Sequence, residues 1–218
     1  NLIHGSFLAN VKNLIFLGSS CVYPKLCKQP MKESYLLSGK LEETNDAYAI
    51  AKIAGIMMCH NYSIKYKLNY RSLMPPNLFG PGDNYDLKTS HFFPALLKKI
   101  YYAKQKRKKI LNVWGTGKPK RELMFVDDFA DAVFFFMNKK IKQPYLNIGT
   151  GKDYSINWYA KFLMRKFNIK LKMKYDKSKP DGMPRKCLDI SEAKKYGWRP
   201  FSDLDKAFNI TLKYFQKS

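Results

Sequence analysis

The chain alternates short apolar runs with polar or glycine-rich breaks, in the rhythm of strands and helices that alternate in an open sheet. Lys12–Leu17, KNLIFL, stays apolar until Gly18-Ser19-Ser20, a pattern expected of a buried strand stopping at a polar turn. Pro24 to Asn45 is broken by Pro30, Gly39 and scattered charges and is expected to be mostly loop. Asn45–Met58, NDAYAIAKIAGIMM, is rich in Ala, Ile and Met and free of Pro, which predicts a helix running to about Tyr66 with Asn45 or Asp46 as its cap. Asn69–Met74 then predicts a second strand, closed by Pro75-Pro76-Asn77 and the turn-rich LFGPGDNY. Strand, helix, strand with apolar strands is the parallel α/β pattern.

Further along, Ser90–Lys104 predicts a helix, Asn112–Trp114 and Arg121–Val126 short strands, and Asp127–Asn138 a helix whose acidic start suits its dipole. Leu146–Ile148 enters Gly149-Thr150-Gly151 as strand into turn. Ser155–Phe167 is amphipathic with Ser155 as its cap, and a last helix is expected from about Asp203 to Tyr214. The N-terminal residues 1–11 suit the end of a helix.

Composition narrows the classes. At 218 residues and 45% hydrophobic content the chain can build one or two globular cores. It contains no run of 18 apolar residues and opens without a basic region followed by an apolar block, so neither a membrane span nor a secretory signal is expected. Cys21, Cys27, Cys59 and Cys187 show no zinc spacing, so no metal site is expected and reduced thiols in a cytoplasmic protein are. The net charge of +23 raises nucleic-acid binding, and Lys98–Lys109 carries seven basic residues in twelve. The lysine excess is spread along the whole chain, however, which suits a solvated surface and an anionic small substrate better than a nucleic-acid groove.

The candidate chemistry starts on the organising helix. Tyr48 and Lys52 are four residues apart and share one face. An ammonium beside a phenol favours the phenolate, so the pairing predicts a Tyr48 pKa below the usual value near 10. Ser19 lies at the carboxyl end of an apolar strand, where open α/β sheets place ligands. A hydroxyl there can hold a carbonyl that Tyr48 protonates, an arrangement suited to carbonyl reduction with a nicotinamide. Taken alone, the YxxxK pairing recurs by chance and Ser19-Ser20 is ordinary turn chemistry.

The motifs GSSCVYPK, PMKESYLLSG, NDAYAIAKIAG, YRSLMPPNLFGPGDNY, VWGTGKPKRELMFVDD, LNIGTG and SKPDGMPRKCLD, in that order, resemble the GDP-L-fucose synthase family of extended short-chain dehydrogenases/reductases. The resemblance implies NADPH-dependent 3,5-epimerisation and 4-reduction of GDP-4-keto-6-deoxy-D-mannose. It places Ser19, Tyr48 and Lys52 on the reductase triad, and Cys21 and His91 on the acid/base pair of the epimerisation. A thiol and an imidazole, with reference pKa values of about 8.5 and 6.5, both exchange protons near neutrality. It further implies NADP(H) contacts from Leu17, Gly18, Ser19, Ser20, Tyr48, Lys52, Pro75, Pro76, Asn77, Leu78 and His91. GDP-sugar contacts are implied for Lys99, Trp114, Arg121 and Asp181. Lys99 stands where the family also has Arg, keeping charge but losing the planar fork; for Asp181, a turn-capping role is an equal alternative. A homodimer, formed through helices flanking the organising one, is implied as well.

One departure stands out. The family's Gly-rich dinucleotide fingerprint belongs to a first βαβ unit of roughly 80–90 residues that this sequence does not contain. The expected fold is therefore α/β: the C-terminal part of a Rossmann-like doubly wound parallel sheet, residues 1–80 and 123–150, with a smaller α+β substrate domain, residues 81–122 and 151–218. The chain, which opens on Asn1 without an initiator Met, reads as the carboxyl two-thirds of such an enzyme. The rival readings are another nucleotide-sugar epimerase or dehydratase of the superfamily, a non-catalytic paralogue, and a basic RNA-binding protein.

Overall fold

The computed structural model describes residues 1–217; Ser218, the last residue of the expected second domain, lies outside the described residues. A short helix α1 (Leu2–Leu8) leads into β1 (Asn13–Leu17), and α2 (Asp46–Tyr66) connects β1 to β2 (Asn69–Met74). There follow β3 (Asn77–Phe79), α3 (Phe92–Gln105), β4 (Ile110–Trp114), β5 (Lys120–Phe125), α4 (Val126–Met137), β6 (Tyr145–Asn147) and β7 (Asp153–Ser155). The chain closes with α5 (Ile156–Lys166), β8 (Lys172–Asp176), β9 (Arg185–Lys186), α6 (Ser191–Lys195) and α7 (Leu204–Phe215).

The fold is α/β. Strands β1, β2 and β6 form a parallel sheet in that order, with Asn13 opposite Asn69 and Ser72 opposite Tyr145. Successive side chains of a strand point to opposite faces, and the helices divide accordingly. Phe16 and Met74 face α2, where they join Ile53 and Ile56, whereas Ile15 and Leu73 face α4 and pack with Phe129, Ala132 and Phe136. The sheet is thus covered on both faces, the doubly wound arrangement of parallel strands.

A second group of elements has its own core. Strand β5 pairs in parallel with β3 and β9 and antiparallel with β7, and β4 pairs in parallel with β8. Helices α3, α5 and α7 close over them around Phe93, Leu97, Ile100, Leu163 and Phe208. The boundary expected between residues 122 and 123 runs through β5, which carries one residue set into each core. Glu122, fully buried in that strand, ties the two groups together. Its carboxylate accepts from the backbone N–H of Thr150 (2.5 Å), Gly151 (2.8 Å) and Leu188 (2.7 Å).

Most predicted elements appear within one or two residues. Ser155 caps α5 by accepting from Trp158 N–H at 3.1 Å, and Asp203 caps α7 through Lys206 N–H at 2.7 Å. Asn45 occupies the N-cap position of α2, but its side chain makes no cap hydrogen bond. The segment 77–79, read from sequence as turn, forms β3 because its backbone finds a partner in β5, a pairing no local pattern reveals.

Candidate functional site

The carboxyl end of β1 turns sharply because Gly18 is buried where a Cβ would lie 3.3 Å from Ile56, Met74 and the Leu73 carbonyl. Gly18 N–H donates to Leu73 O at 2.8 Å and Ser20 N–H to Pro75 O at 2.9 Å, so the ends of β1 and β2 are laced together. Residues Ser20–Val22 then form one 3₁₀ turn, capped by Ser19, whose Oγ accepts from Cys21 N–H at 3.1 Å. The following Tyr23 is fully buried and donates to Asn147 Oδ1 at 2.6 Å, which anchors the turn to β6.

Helix α2 presents Tyr48 and Lys52 to this turn. Tyr48 hydrogen-bonds Ser19 and remains 45% exposed, as does Leu17 beneath it. Lys52 Nζ donates to Leu17 O at 2.8 Å and lies 5.3 Å and 5.6 Å from the ring centroids of Phe16 and Tyr48. The expected depression of the Tyr48 pKa is not found. Burial raises it, the Ser19 hydrogen bond only partly offsets this, and the nearby Cys21 raises it further. The physical reason is where Lys52 points: its ammonium is bonded to a carbonyl and sits over the phenol ring, rather than beside the phenolic oxygen.

Cys21 behaves oppositely. Burial pushes its thiol up, but Lys186 Nζ at 3.0 Å, together with hydrogen bonds from Ser19 and Asn45, outweighs burial and holds the pKa below the usual thiol value. Neither Lys186 nor Asn45 was singled out from sequence. Asn45 was legible only as a helix cap, and Lys186 as one basic residue of PRKC among forty in the chain.

A second group lines a neighbouring cavity of about 200 Å³. Lys99, Trp114, Arg121 and Asp181 all face it, with Ser90 and Phe92. Trp114 is 53% exposed and has Lys99 Nζ at 5.2 Å and Lys179 Nζ at 5.6 Å from its ring. Burial lowers the pKa of both Lys99 and Arg121. Arg121 donates to the carbonyls of Met183 (2.6 Å) and Asp181 (3.0 Å), so its fork shapes the loop that closes the cavity. The Asp181 carboxylate is taken up by Thr116, accepting from its N–H and its hydroxyl at 2.7 Å each. Asp181 thus holds the Gly115–Thr116 turn while lining the cavity: Gly115 beside it has φ of 67°, and a Cβ there would collide with Asp181.

The structure thus brings Ser19, Cys21, Tyr48 and Lys52 together, and separately Lys99, Trp114, Arg121 and Asp181. Arg121 links the two groups, since it lines the cavity and its guanidinium feels the Cys21 thiol. His91 joins neither by a side-chain hydrogen bond among the described residues. It is exposed at the N-terminus of α3, next to Ser90 of the cavity wall, and its charge is felt by Asp83. Pro75 and Pro76 are buried under the ends of β1 and β2, and Asn77 donates to Glu122 O at 3.1 Å with Leu78 half-buried beside it. No group of metal-ligating side chains occurs among the described residues.

The strand ends, with Tyr48, Lys52 and Leu17 accessible above them, fit the nicotinamide end of a dinucleotide lying across a parallel sheet. Residues for its pyrophosphate are not part of this group.

Comparison with known proteins agrees with this fold. Residues 1–149 match the model of the NAD dependent epimerase/dehydratase family. A GDP-L-fucose synthase of Sinorhizobium fredii is 45% identical over 94% of this chain and 65% of its own length. That of Escherichia coli K12 is 43% identical over 99% of the chain and 70% of its own. Among solved structures, a GDP-L-fucose synthetase of Naegleria fowleri bound to NADP superposes with a TM-score of 0.87 at 28% identity, covering all of this chain and 70% of that one. The chain therefore spans about two thirds of the length of the relatives it matches.

Proposed function

The chain belongs to the NAD dependent epimerase/dehydratase family, and from that membership we propose that it carries the catalytic and sugar-binding residues of an enzyme converting GDP-4-keto-6-deoxy-D-mannose to GDP-L-fucose. The observation that carries the reading is the cluster of Ser19, Cys21 and Tyr48 at the carboxyl end of β1, beside a cavity walled by Lys99, Trp114 and Arg121. NADPH, when bound across the strand ends, supplies the hydride for C4. Leu17–Ser20, Pro75–Leu78, Lys52 and His91 are the residues proposed to hold it.

The C4 ketone acidifies the protons on C3 and C5, so each centre inverts through an enolate if one group removes a proton and another returns it. Cys21, held towards its thiolate, removes the proton; His91, at the start of α3, returns one from the other side of the sugar. Ser19 holds the ketone oxygen, and Tyr48 gives it the proton that completes reduction. Its raised pKa keeps the phenol protonated and ready to donate. Lys52 fixes the Tyr48 ring from above and the Leu17 carbonyl from the side. Arg121 and Lys99 meet the diphosphate and Trp114 the base, while Asp181 shapes the wall through Thr116. The domain division at residues 80/81, 122/123 and 150/151 belongs to this reading, as do a homodimer and a cytoplasmic location without nucleic-acid partners. The exposed Ile50 and Ile64 of α2 suit a subunit contact, and no described helix is long and apolar enough to cross a membrane.

The test is deuterium exchange into the GDP-keto sugar in heavy water by the native protein. Label should enter at C3 and C5, and Cys21→Ser should slow it at least about a hundredfold, the scale of a lost acid/base group. Unchanged exchange in that variant would remove Cys21 from the mechanism.

A further inference from the structure

We infer that Lys186 is a positioning residue of the epimerisation, the built-in cation that pairs with Cys21 and aims its sulfur at the substrate. The inference rests on the reading of Cys21 as the proton-removing group and adds a residue to it.

The geometry is specific. Strand β9 is only two residues long, and the alternation of a strand sends its two side chains to opposite faces. Arg185 goes one way and grips Asp153 of β7 with both its Nε (2.7 Å) and a terminal nitrogen (2.9 Å). Lys186 goes the other way and reaches Cys21 Sγ at 3.0 Å, across 165 residues of sequence. The backbone leaves little freedom on either side. Lys186 is in register with Arg121 of β5, Cys187 N–H donates to Gln29 Oε1 at 3.0 Å, and Leu188 N–H donates to buried Glu122 at 2.7 Å. The ammonium is therefore delivered to the sulfur by three independent anchors, and a bidentate ion pair sets the register.

The other groups around Cys21 do not supply this charge at contact distance. Ser19, on the same turn, and Asn45, before α2, contribute neutral hydrogen bonds. Tyr48 of α2 contributes a phenol near the sulfur and no cation, and Lys52 is tied to Leu17 O. Arg121 of β5 senses the sulfur but spends its fork on the 181–183 carbonyls. A half-buried thiol with only neutral partners would be pushed towards protonation by desolvation. An ammonium at 3.0 Å reverses that balance, because the thiolate–ammonium contact is made in surroundings that screen it poorly.

The test follows alkylation of each cysteine of the native protein by iodoacetamide against pH, resolved peptide by peptide, since Lys25 separates Cys21 from Cys27 for trypsin. Cys21 should react with a midpoint below that of Cys27, whose thiol burial pushes up. In Lys186→Met the Cys21 midpoint should rise by at least about one unit, a tenfold loss of rate at neutral pH, while Lys186→Arg should keep most of the low midpoint. Buried Cys59 and Cys187 report integrity by staying unreactive. An unmoved Cys21 midpoint in a Lys186→Met protein that still protects them overturns the inference. Should that variant expose them, the wild-type comparison decides: a Cys21 midpoint no lower than that of Cys27 overturns it as well. The assay reads the thiol alone, so a shifted midpoint in a protein that never exchanges the sugar's protons would support the ion pair and sink the proposed function.

Discussion

At the scale of single residues, Glu122 is the clearest case of a buried charge that couples stability to pH: it has no exposure, and burial pushes its carboxyl up to about 7 despite hydrogen bonds from Leu188, Gly151 and Thr150. Its folded value lies above the unfolded value of about 4.3, so its contribution to stability is fully present below that pH and is lost as pH rises through about 7. The shift corresponds to about 3–4 kcal/mol. Urea unfolding at pH 4 and pH 8, in the protein and in Glu122→Gln, isolates this share. The wild type should lose about 3 kcal/mol more than the variant over that interval, and equal losses would show that Glu122 does not titrate as its burial requires. Tyr48 teaches the reverse lesson about reading residues. Spacing put Lys52 on its face correctly, but helix spacing says nothing about where a four-carbon chain ends, and Lys52 ends on the Leu17 carbonyl.

At the scale of elements, the contact between α2 and β1 decides where Tyr48 stands. Gly55 is what lets the helix come so close, because a Cβ there would enter the Phe16 ring, which packs between helix and strand. Replacing a helical glycine by alanine normally gains up to about 1 kcal/mol in helix propensity. Here Gly55→Ala should instead destabilise, by about 1–3 kcal/mol, the usual cost of overpacking. A denaturation midpoint at or above that of the wild type would mean that Phe16 yields freely. All the described helices but the five-residue α6, with strands β1 and β2, were legible because each carries its own period or apolar run. Strands β3, β7, β8 and β9 were not, for a common reason. They are two to five residues long, and β8 and β9 are rich in lysine and arginine. What makes them strands is pairing with β5 or β4, a long-range fact. Lys186 was missed with β9, since its role exists only once that strand is placed.

At the scale of the whole molecule, two cores meet along β5, and the functional groups sit on that seam: the Ser19–Cys21 turn and Tyr48 on one side, the Lys99–Trp114–Arg121 cavity on the other. The resemblance carried by GSSCVYPK and SKPDGMPRK pointed to both sides, and the family match and the fold agree with it. The resemblance gave no geometry, so it offered no way to see that Asp181 turns to Thr116, or that His91 stands at the N-terminus of α3. The net charge of +23 likewise found a local use: most of the basic run at 98–109 is exposed, but Lys99 turns inward over Trp114. The division of labour within the proposed site is the central claim, with Cys21 and His91 moving protons at C3 and C5 and Ser19 and Tyr48 completing reduction at C4. It is tested most directly by Tyr48→Phe in the native protein, given GDP-4-keto-6-deoxy-D-mannose and NADPH in heavy water. The account predicts deuterium at C3 and C5 at close to the wild-type rate, with NADPH oxidation reduced at least about a hundredfold. NADPH consumption at the wild-type rate, or loss of exchange together with reduction, would contradict it.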